Sequence, residues 1–399
     1  MYQASPRGRR ARVALFATHP IQYHAPWYQA LAASPGFDLK VFFGMLPDAA
    51  QQGVGFGVDF RWDIPLLEGY SWETLPNRAR HPGLGTFAGC DTPGVGRTLM
   101  EWRPDAAILT GWHSKMLVQA WWACLRQGIP RIVRGESNAM ARRAPWKGAL
   151  HKCWLRGFDE FLAIGKANRA FYLKAGVADA RIHACPYFVD NRRFGDAADG
   201  LRGRRAEFRR DWSIPDSATC FLYCGKMIAK KRPLDLLAAL QAACAAGAAA
   251  HVLVVGAGEL LDAARALVER NRLPVTFAGF LNQTEIVRAY VAADCLVLPS
   301  DTGETWGLVV NEAMACGLPA IVSNQVGCGP DLVTDGETGA VFPMGDVVAL
   351  SRSLIAFAGR LAELAAMGAR ARKRVAAHYS VERAVAGTLE AIDAVVARH

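Results

Sequence analysis

With 399 residues, 52% of them hydrophobic and 21% charged, the chain is too long for one ordinary core and too apolar for a disordered one, so two globular domains are expected. Its net charge of +10 is lopsided, with +9 carried by residues 1–200 and +1 by residues 201–399. No recognition motif accompanies this charge, so a nucleic-acid partner is not expected. Ten cysteines occur without C-x-x-C pairs or Cys/His clusters. Several of them (Cys220, Cys224, Cys295) lie in apolar runs, where reduced core thiols are expected.

Residues 1–12 are polar and basic and lead straight into a strand, unlike a secretory leader, so a reducing cytoplasmic location is expected. A strand over 12–17 is followed by a loop containing His19, Gln22 and His24, then a helix through Leu31. Next come a strand over 38–43, a Gly-rich loop region over 53–96, and strands over 106–110, 130–133 and 160–164. Strands alternating with helices predict a parallel sheet covered on both faces. Residues 185–210, polar and rich in Gly, Arg and Asp, read as a linker.

The second half repeats the rhythm, with strands over 219–223, 251–255, 275–277, 294–298 and 320–322 separated by helices. The apolar tract 234–261 divides into an Ala-rich helix and a Val-rich strand and is interrupted by Asp235, Gln241 and His251, so it does not read as a membrane span. Helices are expected over 361–399, the last crossing back to the first domain. The expected division is 1–195, 206–375 and a closing helix over 376–399.

Part of the basic excess falls in residues 142–156, where Arg142, Arg143, Lys147, Lys152 and Arg156 interleave with Trp146 and Trp154. Two readings stay open: an interfacial helix on an anionic membrane, which would place the protein at the inner face of the cytoplasmic membrane, and an ordinary solvated helix.

The stretch 300–319 carries the strongest chemical signal. A short apolar strand runs into a loop broken by Gly303 and Gly307, and a helix follows from Leu308. Such a turn aims free backbone N–H groups and a positive helix end at the carboxyl edge of a sheet, where a phosphate binds. Glu304 falls in the loop and Glu312 one turn into the helix, so both can face one ligand. Carboxylates accept from neutral hydroxyls, which suits a sugar at one end and a ribose at the other.

This segment resembles the Glu-x7-Glu signature of the family-4 retaining glycosyltransferases. The resemblance extends to Trp306-Gly307, to residues 312–319 and 335–339, and to the closing pattern at 379–384. It runs from about Ala163 to the end. It implies an α/β, GT-B architecture: two Rossmann-like, doubly wound parallel-sheet domains facing a cleft, the first binding the acceptor and the second the nucleotide sugar. It implies a retaining transferase that moves a hexose-type sugar from a nucleotide-diphosphate sugar to a hydroxyl of a glycan or lipid-linked acceptor, in cell-surface polysaccharide or glycolipid assembly. Glu304 then lies beside the transferred sugar and Glu312 holds the ribose. Lys226 and Lys231 match a Gly-Arg/Lys-x4-Lys motif that holds the diphosphate, with Gly307 and Leu308 at the helix start. The base is expected near Phe280 and Leu281. No cofactor is expected, and no metal, because no Asp-x-Asp pair or His/Cys cluster stands in a suitable loop.

The first half departs from the family. Its opening loop has no Gly-Gly pair and offers His19, Gln22 and His24 for the acceptor or a phosphate. Where many members place a His, this chain has Glu136, which can accept from a sugar hydroxyl or pair with Arg134. His113 is a candidate on the acceptor side. The Gly256-x-Gly258-Glu259 turn lacks the third glycine of a dinucleotide fingerprint and reads as structural. Two other functions stay open: an epimerase or hydrolase of nucleotide sugars, and a non-catalytic nucleotide-sugar-binding protein.

Overall fold

A computed structural model describes residues 10–140 and 144–398. They divide into two compact units, one built from residues 10–52, 64–187 and 381–398, the other from Gly53–Asp63 and Phe188–Ser380.

The first unit holds strands β1 (Ala11–Ala17), β2 (Phe37–Phe43), β3 (Ser71–Thr74), β4 (Ala106–Leu109), β5 (Arg131–Val133), β6 (Glu160–Ala163) and β7 (Ile182–Ala184), in the order β3-β2-β1-β4-β5-β6-β7. Every described pairing is parallel, with Val13 opposite both Leu39 and Ala106. The central strands are short apolar runs because helices cover both faces. All four residues of β4 are fully buried. The closing helix Val381–Val396 belongs to this unit, and Thr388 accepts from the Trp27 indole at 3.2 Å.

The second unit holds β8 (Thr219–Cys224), β9 (Ala250–Val255), β10 (Val275–Gly279), β11 (Cys295–Leu298), β12 (Ala320–Ser323) and β13 (Gly339–Phe342), in the order β10-β9-β8-β11-β12-β13, again all parallel. Each sheet reverses its winding once, between β1 and β4 and between β8 and β11. The carboxyl ends of strands at such a switch point are where open α/β sheets bind ligands.

Three strands were not expected. β3 is an exposed edge strand with no apolar run, and it lies inside the expected loop region. β7 and β13 are three- and four-residue edge strands. The expected linker is largely helical, with helices Asn191–Leu201 and Arg205–Asp211, and the second unit begins at Phe188. The Asp190 side chain caps the first of these by accepting from the Arg193 amide at 2.9 Å. Its buried face is Phe194, Gly195 and Ala198. The polar composition belongs to the outer face, which is why the stretch read as a linker.

No described helix is long and apolar enough to cross a membrane. Seven of the ten cysteines are buried and none is in a disulfide.

Candidate functional site

In the second unit the loops after β8 and β11 meet. After β8 the chain turns at Gly225 (φ +148°) into Lys226 and a single 3-10 turn, Ala229–Lys231. The Gly256–Glu259 turn after β9 holds this loop from behind. The Met227 amide donates to the Ala257 carbonyl at 2.8 Å, and Leu260 donates back to Met227 at 2.9 Å. A Cβ on Gly256 would stand 2.0 Å from the Gly225 carbonyl oxygen, and one on Gly258 would stand 2.7 Å from that of Met227. These glycines therefore serve close backbone packing.

After β11 the Asp301 amide donates to the Lys230 carbonyl at 2.9 Å and ties the two loops together. Gly307 (φ +100°) starts the helix Leu308–Ala315 in a left-handed conformation that glycine accepts readily. The Trp306 indole is buried and donates to Asn311 at 2.8 Å, which anchors the first turn from inside.

The geometry gathers three ammonium groups. Lys231 pairs with Glu304, both side chains largely covered. Lys230 donates to the Gly303 carbonyl at 3.3 Å. Lys226 donates to the Val54 carbonyl at 2.7 Å and lies over the Phe56 ring, 4.7 Å from its centroid. Burial, then the charges of Lys230 and Lys231, hold the Lys226 ammonium below the usual lysine range.

Glu312 stands one turn into the helix and is 2% exposed. It accepts from the Tyr290 hydroxyl at 2.5 Å and, more loosely, from the Gln283 amide at 3.5 Å. The nearby Cys224 thiol is pushed up to about 12, by burial and then by the Glu312 charge.

Phe280 and Leu281 follow β10 and are half-buried. The Phe280 ring faces residues 53–63, with Phe60 at 4.4 Å and Phe56 at 5.3 Å between centroids. Asn282 donates to the Arg61 carbonyl at 2.7 Å, and the Thr284 amide donates to Asp63 at 3.1 Å. This eleven-residue strap was not legible as part of the second unit, and neither Tyr290 nor Gln283 was singled out. The only local signal for the strap is its pattern of Gly53, Gly55 and Gly57 with Phe56, Phe60 and Trp62.

In the first unit, residues after β1, β4 and β5 also converge. His24 is buried and accepts from Arg134 at 3.2 Å through Nε2. Its proton therefore sits on Nδ1, which faces the Tyr28 hydroxyl at 3.5 Å. His24 is an interior residue. His19, held to Thr18 at 2.9 Å, is lowered to about 4 by burial and then by His113. His113 is lowered by burial, against the opposing pull of Glu136. Gln22 is half-buried in the turn before the helix Ala25–Ala33. Arg134 is stacked between the rings of Trp27 and Tyr187, at 5.1 and 4.4 Å. Glu136 accepts a hydrogen bond from the Tyr187 hydroxyl. Tyr187 is thus a partner that neither sequence reading of Glu136 contained.

Helix Pro145–Leu155 leaves Trp146 and Leu150 64% and 61% exposed, with the Lys147 ammonium 5.4 Å from the Trp146 centroid. Trp154 packs on Trp121 at 4.3 Å. Arg142 and Arg143 lie outside the described residues. Among the described residues no group of three or more His, Cys, Asp or Glu is arranged to hold a metal ion.

Residues 204–374 match the family model described as "Glycosyl transferases group 1". A GDP-mannose-dependent alpha-(1-6)-phosphatidylinositol dimannoside mannosyltransferase of Mycobacterium tuberculosis is 29% identical over 266 residues, 63% of this chain. The match spans just under two thirds, 65%, of that relative's own length. Among solved structures, a glycosyltransferase from Rickettsia africae superposes with a TM-score of 0.73 at 13% identity, covering 98% of this chain and 100% of that one. The Anabaena protein HepE, solved with UDP and glucose, superposes with a TM-score of 0.70 at 15% identity, covering 96% and 99%. The chain has the GT-B fold of these glycosyltransferases, and its residues 204–374 are similar to the group 1 glycosyl transferases.

Proposed function

We propose that this protein is a metal-independent, retaining glycosyltransferase that moves a hexose from a nucleotide-diphosphate sugar to a hydroxyl of a glycan or lipid-linked acceptor. The observation that carries this reading is the group Lys226, Lys230 and Lys231, with Lys231 paired to Glu304 and Lys230 bonded to the Gly303 carbonyl, in the loops after β8 and β11 that lead to the helix Gly307 starts. Three ammonium groups crowded together, one with a lowered pKa, call for an anion. A diphosphate brings that charge, and fixed cations stabilise it best as it departs.

In this reading Lys226 and Lys231 take the diphosphate, assisted by the Gly307 and Leu308 amides. Glu304 accepts from a hydroxyl of the transferred sugar, and Glu312 accepts from the ribose. The base lies near Phe280 and Leu281. The acceptor oxygen bonds to the anomeric carbon on the face from which the diphosphate leaves. The carbon–phosphate oxygen bond breaks, and the acceptor proton passes to the leaving phosphate oxygen. The first unit presents the acceptor near His19, His113 and Glu136. The mycobacterial relative makes GDP-mannose and an inositol glycolipid the first donor and acceptor to try. The exposed Trp146–Leu150 face beside Lys147 and Lys152 suits contact with an anionic membrane that carries such an acceptor.

The test is incubation with GDP-mannose and with UDP, TDP and ADP sugars, in the presence of lipid-linked and glycan acceptors. The expected product is an acceptor one hexose heavier, with the donor's anomeric configuration. Donor hydrolysis that ignores acceptor makes the protein a hydrolase. Nucleotide binding without turnover on any acceptor makes it a binding protein.

A further inference from the structure

Glu312 is a nearly buried carboxylate, and a buried carboxylate needs hydrogen bonds to stay where it is. Neutral donors face both of its oxygens. The Tyr290 hydroxyl, itself fully buried on helix Ile286–Ala292, donates to Oε2 at 2.5 Å. The Gln283 amide donates to Oε1 at 3.5 Å. The orientation of that amide is imposed from the other side. Arg193 donates through Nη2 to the Gln283 side-chain oxygen at 2.7 Å and through Nη1 to the Gln283 backbone carbonyl at 3.0 Å. With its oxygen committed to a guanidinium, Gln283 must turn its NH2 toward Glu312. Arg193 in turn lies on the helix Asn191–Leu201, its guanidinium 4.3 Å from the centroid of the Phe194 ring.

Oε2 accepts a short bond from a rigid phenol, and Oε1 accepts a longer one from an amide. A carboxylate oxygen accepts more than one hydrogen bond, so an oxygen already held by the protein can also accept from a ligand hydroxyl. Glu304, by contrast, is paired with a lysine.

Resting on the reading of Glu312 as the ribose acceptor, we infer that Tyr290, Gln283 and Arg193 are positioning residues that present Glu312 Oε1 to the diol of a nucleotide ribose. Tyr290 fixes the carboxylate plane. Gln283, locked by Arg193, sets how strongly the ligand-side oxygen is already engaged. The helix that read as linker thus serves the donor site.

The experiment measures dissociation constants of GDP and UDP and of their 2′-deoxy and 3′-deoxy counterparts, with inorganic pyrophosphate as a competitor. It compares the full-length wild type with Tyr290→Phe and Arg193→Gln. The wild type is expected to prefer the ribonucleotides by about tenfold, as loss of one hydrogen bond to a charged group implies. Both variants are expected to cut that preference to below about threefold while pyrophosphate competes as before. Tyr290→Phe keeps the ring and its packing, and Arg193→Gln changes a residue on a different helix, so each checks the other against misfolding. Full ribose preference in both variants overturns the inference alone. Equal losses of ribonucleotide, deoxynucleotide and pyrophosphate binding also overturn it, since the residues would then be structural. A wild type that binds nucleoside diphosphates with no ribose preference removes the Glu312 role and this inference with it.

Discussion

Lys231 and Glu304 form an ion pair with both side chains about seven-eighths covered, at 13% and 12% exposed. The pair joins the two residues proposed for separate roles, the cation for the diphosphate and the carboxylate for the sugar. A bound diphosphate would compete with Glu304 for the Lys231 ammonium and so release the carboxylate toward the sugar.

Glu304→Gln is therefore expected to leave nucleoside diphosphate affinity unchanged or slightly tighter while lowering kcat by about ten- to a hundredfold, the size of a lost charged hydrogen bond. Glu312→Ala should do the reverse and weaken nucleotide binding more than it slows turnover. Calorimetry with GDP and UDP beside steady-state kinetics separates the two. Wild-type affinity and rate in both variants would remove the site.

Lys226 should act on phosphate and on nothing else in the nucleotide. Lys226→Ala is expected to weaken nucleoside diphosphate binding about tenfold or more and nucleoside binding hardly at all. The lowered pKa of Lys226 has a sign that can be read. The ammonium is lost at a lower pH than an ordinary lysine's, so diphosphate affinity should decline with rising pH before a typical lysine titrates, and Lys226→Ala should flatten that decline. Activity should survive EDTA. Full loss with EDTA and recovery with Mg²⁺ or Mn²⁺ would refute the metal-free mechanism.

His251 should make the second unit sensitive to acid. Thr276 spends its hydroxyl proton on the Trp212 carbonyl at 2.6 Å, so it accepts from His251 Nε2 at 3.0 Å. That leaves Nδ1 buried and without a partner among the described residues. A second proton would have nowhere to bond. Burial, and then the Arg209 charge, lower this histidine to about 4. The unfolded chain takes up a proton near pH 6.5 that the folded one refuses, so the contribution is complete above 6.5 and fades as pH falls toward 4. The loss is on the order of 3 kcal/mol. Denaturant midpoints of the wild type should fall more steeply over this window than those of His251→Gln. Parallel curves would contradict the assignment.

The basic helix makes a graded demand. Co-sedimentation with liposomes should rise with anionic lipid content, fade with salt, and drop several-fold when Lys147, Lys152 and Arg156 become Gln. Trp146→Ala should weaken binding even at low salt, because its 64% exposed ring would be the apolar anchor of such a contact. Indifference of the wild type to anionic liposomes at low salt would make this face an ordinary solvated one and favour a water-soluble acceptor.

Much of the fold was legible because the central strands of both sheets are short apolar runs between turn residues. β4 is buried along its whole length with no polar residue, and β9, also buried throughout, is interrupted by His251 alone. Edge strands lack that constraint, and β3, with three exposed residues of four, carried no signal. The loop–helix geometry around Gly307 was legible because glycine at a positive φ and a helix start leave local marks. Partners distant in sequence were not. The Phe60–Phe280 contact spans 220 residues, and nothing near either residue announces it. Tyr290 carried no signal in the sequence, because only the fold brings Glu312 to its hydroxyl. His24 looked like a loop histidine until Arg134, 110 residues on, reached its ring.

The discontinuity of the two units bears on how the chain is made. Val381–Val396, which completes the first unit against Trp27, is synthesised after the whole of Phe188–Ser380. Phe188–Ser380 by then lies almost wholly behind it and needs from upstream only the strap at 53–63, already made. Domains fold as units during synthesis, as each becomes complete. Of the two units, the one begun first is therefore finished last, and a ribosome stalled just before Val381 leaves a second unit ready to fold and a first that still lacks the helix Val381–Val396.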